Sequence, residues 1–276
     1  MLEVIDKGSC SESHPAPLLF VHGAWHAAWC WDEHFLDFFA DNGYRALAVS
    51  LRGHGGSPTP RPLRGCSIAD YVEDVRSVAD DLPTRPVAIG HSMGGLVVQK
   101  YLESHAAPAG VLVASVPVQG DRAALLRFMR RHPWLAAKGT FTDNTMLGLD
   151  TPVRARESMF SAETPESQIV RHLARFQQES KRAIHVDMPF RALPRPDHVS
   201  APLLVLGAGC DGVITTEEVR ATATAYGTAA EIFPGMGHDV MLEPGWEAVA
   251  QRIHTWLETV APMTESRQSG EHVSDL

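Results

Sequence analysis

Short apolar runs, each stopped by turn residues, constrain this chain more than any other feature. They fall at 17–21 (PLLFV), 44–50 (YRALAVS), 86–90 (PVAIG), 110–116 (GVLVASV), 202–206 (PLLVL) and, more weakly, 229–233. Apolar runs of that length without alternation suit strands buried on both faces, as in a parallel sheet. Helical patterns lie between them. Residues 67–82 open with a Ser67-x-x-Asp70 capping box and carry Tyr71, Val72, Val75, Val78 and Leu82 on one stripe. A second helix is expected over 94–105. A last one has Val249, Ile253, Trp256, Leu257 and Val260 on its apolar face. Alternating strands and helices predict an α/β fold, a mostly parallel doubly wound sheet with right-handed crossovers.

The alternation breaks between Val116 and Pro202, where no strand pattern appears. An unstructured loop of that length does not suit a compact domain, so a helical insertion is expected. Thr164-Pro165-Glu166 reads as an N-cap, a Pro at the first helical position and an acid in the first turn. Ile169, Leu173 and Phe176 follow at helical spacing. The insertion is rich in Met and Phe, including Phe128, Met129, Phe141, Met159 and Phe176, which suit both internal packing and an adaptable apolar pocket. The expected organisation is a core over 1–119, a helical cap over 120–198, the rest of the core over 199–262, and an irregular polar tail over 263–276.

Gly90-His91-Ser92-Met93-Gly94 sits between an expected strand and an expected helix. A Ser on so sharp a turn takes an unfavourable backbone conformation and projects its Oγ above the sheet. Backbones crowd such a turn, which explains small residues at Gly90 and Gly94. A Ser hydroxyl needs a base. His238, in a Gly-rich loop after the last strand, stands out among 14 His. Asp211, just after the strand at 202–206, comes to the same sheet edge and can orient the imidazole. Asp121, after the preceding strand, is the competing acid. Asp239 is adjacent to His238 and poorly placed to reach back to it. Oxyanion donors are expected from the N–H groups of Ala24 and Met93, with Gly23 the next choice. Gly23, Trp25 and His26 are candidate substrate-binding residues, Trp25 being equally suited to the core. His22 is expected to order its own loop.

The chain has 276 residues, an apolar fraction of 44% and a net charge of −9, with acids and bases interspersed and no basic stripe for nucleic acid. No apolar run is long enough to span a membrane. Residues 1–8 lack the apolar stretch of a secretory signal. The four Cys have no metal-ligand spacing and read as free thiols. A cytoplasmic protein is expected, monomeric or homodimeric, with a small-molecule substrate, no cofactor and no metal.

His22-Gly-Ala-Trp25, Arg52-Gly-His-Gly-Gly-Ser57, Gly90-His-Ser-Met-Gly-Gly95 and the loops of Asp211 and His238 occur in the order that resembles the α/β-hydrolase superfamily. The leading loop, from Val21 to Trp31, is similar to the subgroup of small esterases, plant methylesterases and hydroxynitrile lyases. The resemblance implies a helical cap after the strand near Val116 and leading strands that are shortened or partly absent. Those lyases carry a Lys directly after the catalytic His and a Thr after the first His of the leading loop. Here Asp239 and Gly23 stand at those positions, and an acid is the wrong charge for departing cyanide. Ser92 in place of Asp also departs from the dehalogenase and epoxide hydrolase branches. The expectation is a serine esterase with the triad Ser92, His238 and Asp211, acting on a small or apolar ester. Lactone, thioester or C–C bond cleavage on the same triad is the alternative, and a small-molecule receptor of the same fold is the reading from another class.

Overall fold

The computed structural model describes residues 1–270; side chains at 140–141 and 261–270 are outside the description. Seven strands form one sheet in the order β1-β3-β2-β4-β5-β6-β7. They are β1 (Val4–Lys7), β2 (Leu18–Val21), β3 (Ala46–Val49), β4 (Val87–His91), β5 (Gly110–Val113), β6 (Leu203–Ala208) and β7 (Ala230–Phe233). All neighbours pair in parallel except β1, which runs antiparallel to β3 with Val4 opposite Val49. The helices are α1 (Trp29–Asp32), α2 (Phe35–Asp41), α3 (Ile68–Asp80), α4 (Met93–Leu102), α5 (Arg122–Arg131), α6 (Pro133–Phe141), α7 (Pro152–Met159), α8 (Glu166–Leu173), α9 (Thr216–Ala225) and α10 (Trp246–Gly270). The doubly wound sheet is the expected one. The leading strand β1 is new, an edge strand that carries Asp6 and Lys7 and is only partly buried.

The period of two along β2 divides the core. Leu18 and Phe20 pack with Trp31, Phe35 and Phe39 of α1 and α2 and with Val249 and Ile253 of α10. Leu19 and Val21 face the other way, into the cluster that holds Tyr71 and Val75 of α3 and Val97 of α4. Burying each such side chain contributes about 1.5–3 kcal/mol. A strand buried on both faces therefore needs apolar residues at every position, which is why these strands read as unbroken runs. At the start of α3, Ser67 Oγ accepts from Asp70 N–H at 3.1 Å, and the Asp70 carboxylate accepts from Ser67 N–H at 2.8 Å. That is the expected capping box.

Between β5 and β6 lie α5 to α8 and a π-helical segment, Ala183–Arg191. The start of α8 differs from expectation. Pro165 is its N-cap, and the Thr164 hydroxyl instead donates to Glu243 Oε1 at 2.8 Å. Glu243 also accepts from Ser161 N–H at 2.6 Å, so it fastens the chain ahead of α8 to the loop after His238. The irregular tail was expected from 263; α10 takes in positions up to Gly270, and 271–276 lie outside the described residues.

The site's position follows from the topology. The chain goes from β2 to β3 on one side, then crosses to β4 on the other. The loops after β2 and β4 therefore leave in opposite directions and open a crevice at the carboxyl ends of the strands. Ser92 follows β4, and the loop of Ala24 follows β2.

Candidate active site

Ser92 joins β4 to α4 with φ 51° and ψ −117°. A non-Gly residue there costs on the order of 1–3 kcal/mol and is held only by its surroundings. Those surroundings are close. A Cβ on Gly94 would collide with the carbonyl oxygens of Val21 and His22, and one on Gly90 with the carbonyl of Gly94. A Cβ on Gly23 would sit 2.7 Å from His91 Nδ1 and 3.1 Å from Ser92 Cβ. Small residues thus bring the loop after β2 directly against the turn of Ser92.

The loops after β6 and β7 bring Asp211 and His238 together. His238 Nδ1 donates to Asp211 Oδ2 at 2.7 Å, with the two side chains only 2% and 1% exposed. The other oxygen, Oδ1, accepts from the N–H groups of Val213 and Ile214 at 2.7 and 2.8 Å. Burial pulls the His238 pKa down, but the Asp211 carboxylate outweighs it, and the net shift is upward. Asp121 makes no contact with His238. It caps no N–H of α5, its Oδ1 is buried without a partner, and burial pushes its carboxyl up to about 7.

His91 ties the two halves of the site. Its Nε2–H donates to the carbonyl of His238 at 3.0 Å, and the rings stand 4.7 Å apart. Burial, with repulsion from His238, lowers its pKa to about 3, so the ring is neutral. His22 orders its loop: Nδ1–H donates to the Gly23 carbonyl at 2.7 Å and Nε2 accepts from Leu51 N–H at 3.0 Å. Both contacts require the neutral ring, and burial holds the His22 pKa well below the usual value.

The N–H of Met93 opens α4, where no intrahelical acceptor exists. Ala24 is buried, and its N–H takes no protein acceptor among the described residues. Trp25 follows with φ 66°. Its Nε1–H donates to the Thr145 carbonyl at 3.1 Å, and its own carbonyl accepts from Gln177 N–H at 2.8 Å. His26, expected as a substrate contact, is instead 1% exposed. Its Nδ1–H donates to the Ala24 carbonyl at 2.8 Å, and its Nε2 lies 3.2 Å from Asp239 Oδ2. The short loop turns the ring inward, against Trp29 and Phe176.

The pairing of His26 with Asp239 escapes sequence reasoning, as does a second buried cluster. His54 Nε2 lies 3.1 Å from Glu179 Oε2, and Tyr71 O–H donates to Glu179 Oε1 at 2.6 Å. Here the chain after α8 meets the Gly-rich turn after β3. Among these residues, only the His-Gly-Gly pattern around His54 singles one out in the sequence.

A cleft of about 160 Å³ lies between the α5–α8 segment and the strand ends. Its walls include Trp25, Leu125, Phe128, Met159, Ile184 and Val213. Ser92 and His238 do not line it. Its walls hold Trp25, next to Ala24, and Gly212 and Val213, next to Asp211.

A mostly parallel sheet wound on both faces, with a strained Ser at its switch point and an Asp–His pair from two later loops, is the arrangement of an α/β-hydrolase. The profile of the Alpha/beta hydrolase family matches residues 18–252, and the chain belongs to that family. It is 37% identical to Methylesterase 18 of Arabidopsis thaliana over 31% of each chain. It is 39% identical to a non-heme chloroperoxidase of Streptomyces lividans over 37% of each. These matches span about a third of the relatives' length. A longer match, covering 85% of this chain and 92% of the relative at 26% identity, is to Phospholipase YtpA of Bacillus subtilis. Among solved structures, a thermophilic esterase from Thermogutta terrifontis superposes with a TM-score of 0.73 over 94% of both chains, at 20% identity. Among the described residues, no helix is long and apolar enough to cross a membrane.

Proposed function

We propose that the protein is a serine hydrolase that cleaves a small or apolar carboxylic ester through an acyl-enzyme. The observation that carries this reading is the 2.7 Å contact of His238 Nδ1 with Asp211, at the sheet edge where Ser92 stands at positive φ. His238 Nε2 takes the proton as Ser92 Oγ attacks the ester carbonyl. Asp211 fixes the tautomer and stabilises the imidazolium. The N–H groups of Ala24 and Met93 stabilise the tetrahedral oxyanion. His238 then protonates the leaving alcohol and later activates water to release the acid. We take residues 120–198 as the cap, and the largely apolar walls of the cleft favour an apolar acyl or alcohol group. A relative named as a phospholipase and another named as a monoacylglycerol lipase are in keeping with an ester substrate.

The test is labelling by a fluorophosphonate probe together with hydrolysis of p-nitrophenyl butyrate. Wild type should label at Ser92 and turn over the ester, and Ser92→Ala should do neither. Wild-type turnover in Ser92→Ala would remove Ser92 from the mechanism.

A further inference from the structure

We infer that Asp121 is a specificity residue of the cleft, and that it receives a hydroxyl group carried by the substrate away from the scissile carbonyl. The inference rests on the hydrolase reading above and adds a substrate class to it. Asp121 is 8% exposed, lines the cleft, and its Oδ1 is buried without a hydrogen-bond partner. A buried polar atom left unpaired costs about 1–3 kcal/mol. Asp121 stands at the N-cap of α5, yet its side chain accepts no capping hydrogen bond. It takes no part in orienting His238, whose Nδ1 is held by Asp211. No capping or triad contact offsets the cost of this carboxyl group, and Asp121 lines a cleft in which a ligand can reach it.

The neighbours of Asp121 decide which chemistry fits. The two arginines in the same walls are already engaged. Arg127 donates to Glu218 at 3.0 and 2.8 Å and to the Val213 carbonyl at 2.6 Å. Arg131 lies 3.4 Å from Glu157. A substrate ammonium group would give up its hydration among largely apolar walls, with one partly protonated carboxyl to offset that cost. A substrate carboxylate would meet Asp121 itself whenever that is ionised. A hydroxyl group has neither problem. It donates to Asp121 when the carboxyl is ionised, and it can both donate and accept when the carboxyl is protonated. With a pKa near 7, both forms are present at neutral pH. The rest of the wall, with Leu125, Phe128 and Met159, suits an alkyl chain leading to that hydroxyl. The substrate class is an ester with a hydroxylated, otherwise apolar chain.

The experiment compares kcat/KM for p-nitrophenyl 6-hydroxyhexanoate and 8-hydroxyoctanoate with their unsubstituted counterparts of equal chain length. In wild type, a hydroxy ester of at least one of the two lengths should be preferred. In Asp121→Leu the preference ratio at that length should fall by about tenfold, mainly through KM, as for one lost hydrogen bond to a charged group. Asp121→Asn, which both donates and accepts, should keep an intermediate ratio. The thermal midpoint of Asp121→Leu should rise, because an unpaired buried carboxyl is gone. Asp121→Ala gives the same reading if the Leu variant does not fold, since no cap is lost. An unchanged ratio across these proteins would overturn the proposal, as would a fall in the thermal midpoint of Asp121→Ala with the ratio intact. Wild-type labelling by the fluorophosphonate separates the two readings. With labelling and an unchanged ratio, only the role of Asp121 falls; with neither labelling nor ester turnover, the hydrolase reading falls and takes this one with it.

Discussion

His26 Nε2 lies 3.2 Å from Asp239 Oδ2, with the two side chains 1% and 0% exposed. This ion pair joins the loop that carries Ala24 to the loop that carries His238. The His26 Nδ1–H donates to the Ala24 carbonyl, and its Nε2 approaches the Asp239 carboxylate at ion-pair distance. Burial pushes the Asp239 pKa up, but its interactions with the imidazoles of His26, His91 and His238 outweigh it and hold the carboxyl below its usual range. Removing one partner leaves a buried charge alone, at a cost of about 3–5 kcal/mol. Asp239→Asn should therefore lower the urea midpoint by a clear margin and reduce kcat, because both loops lose their tie. Replacing both residues, Asp239→Asn with His26→Gln, should restore part of the stability. A double variant no more stable than the single one would show that the pair is not coupled.

The raised pKa of His238 has a kinetic consequence. The base must be neutral to take the proton from Ser92, so kcat/KM should fall on the acid side through an apparent pKa above the ordinary 6.5. Asp211 is the cause of the upward shift, against burial, which acts downward. In Asp211→Asn the acid limb should move to lower pH while turnover drops by about 10⁴-fold, as the tautomer is no longer fixed. A pH series with p-nitrophenyl butyrate reads both effects. An acid limb unmoved by Asp211→Asn would separate the limb from His238.

Much of the core was legible because its strands are buried on both faces. Each run such as 86–90 needs an apolar residue at every position, and turn residues mark its ends. The strand β1 lacks that signature: at the sheet edge, Asp6 and Lys7 are tolerated and one neighbour suffices. The turn of Ser92 was legible because its crowding demands Gly at fixed spacing. His26 was not. In His22-Gly-Ala-Trp-His26 nothing in the residue types says which way a loop side chain turns, and its partner Asp239 lies at the far end of the chain. Thr164 shows the same limit. Its local pattern is that of a helix cap, but the distant carboxylate of Glu243 takes its hydroxyl.

Gly94 offers a direct test of the turn's crowding. A Cβ at that position meets the carbonyl oxygens of Val21 and His22, both backbone atoms at the end of the central strand β2. Neither can swing aside as a flexible side chain would. Gly94→Ala should therefore push α4 from the sheet, lower the thermal midpoint by several degrees and shift the Ser92 Oγ, with labelling by the fluorophosphonate slowed. Gly235→Ala is the contrast. Its Cβ meets nothing within 4 Å, so both readouts should stay near wild type.

The pair His54–Glu179 predicts how the segment after α8 responds to pH. Both side chains are fully buried, 3.1 Å apart, and Tyr71 O–H adds a hydrogen bond to the same carboxylate. Burial works against both charges, yet Glu179 raises the His54 pKa and His54 lowers that of Glu179. The His54 contribution is fully present below its ordinary 6.5 and is lost as pH rises through the raised folded value. The Glu179 contribution is present above its ordinary 4.5 and is lost as pH falls through the lowered folded value. Stability from the pair is therefore greatest between about 4.5 and 6.5 and declines on either side. Glu179→Gln keeps an acceptor for Tyr71 but leaves the imidazolium unpaired, so His54 should titrate downward and the variant should lose most stability inside that window. Thermal midpoints of wild type and Glu179→Gln, measured from pH 4 to pH 9, should differ most near pH 5–6 and converge as pH rises past the folded pKa of His54. A difference that stays constant across the range would show that the pair is held by shape and hydrogen bonding rather than by charge.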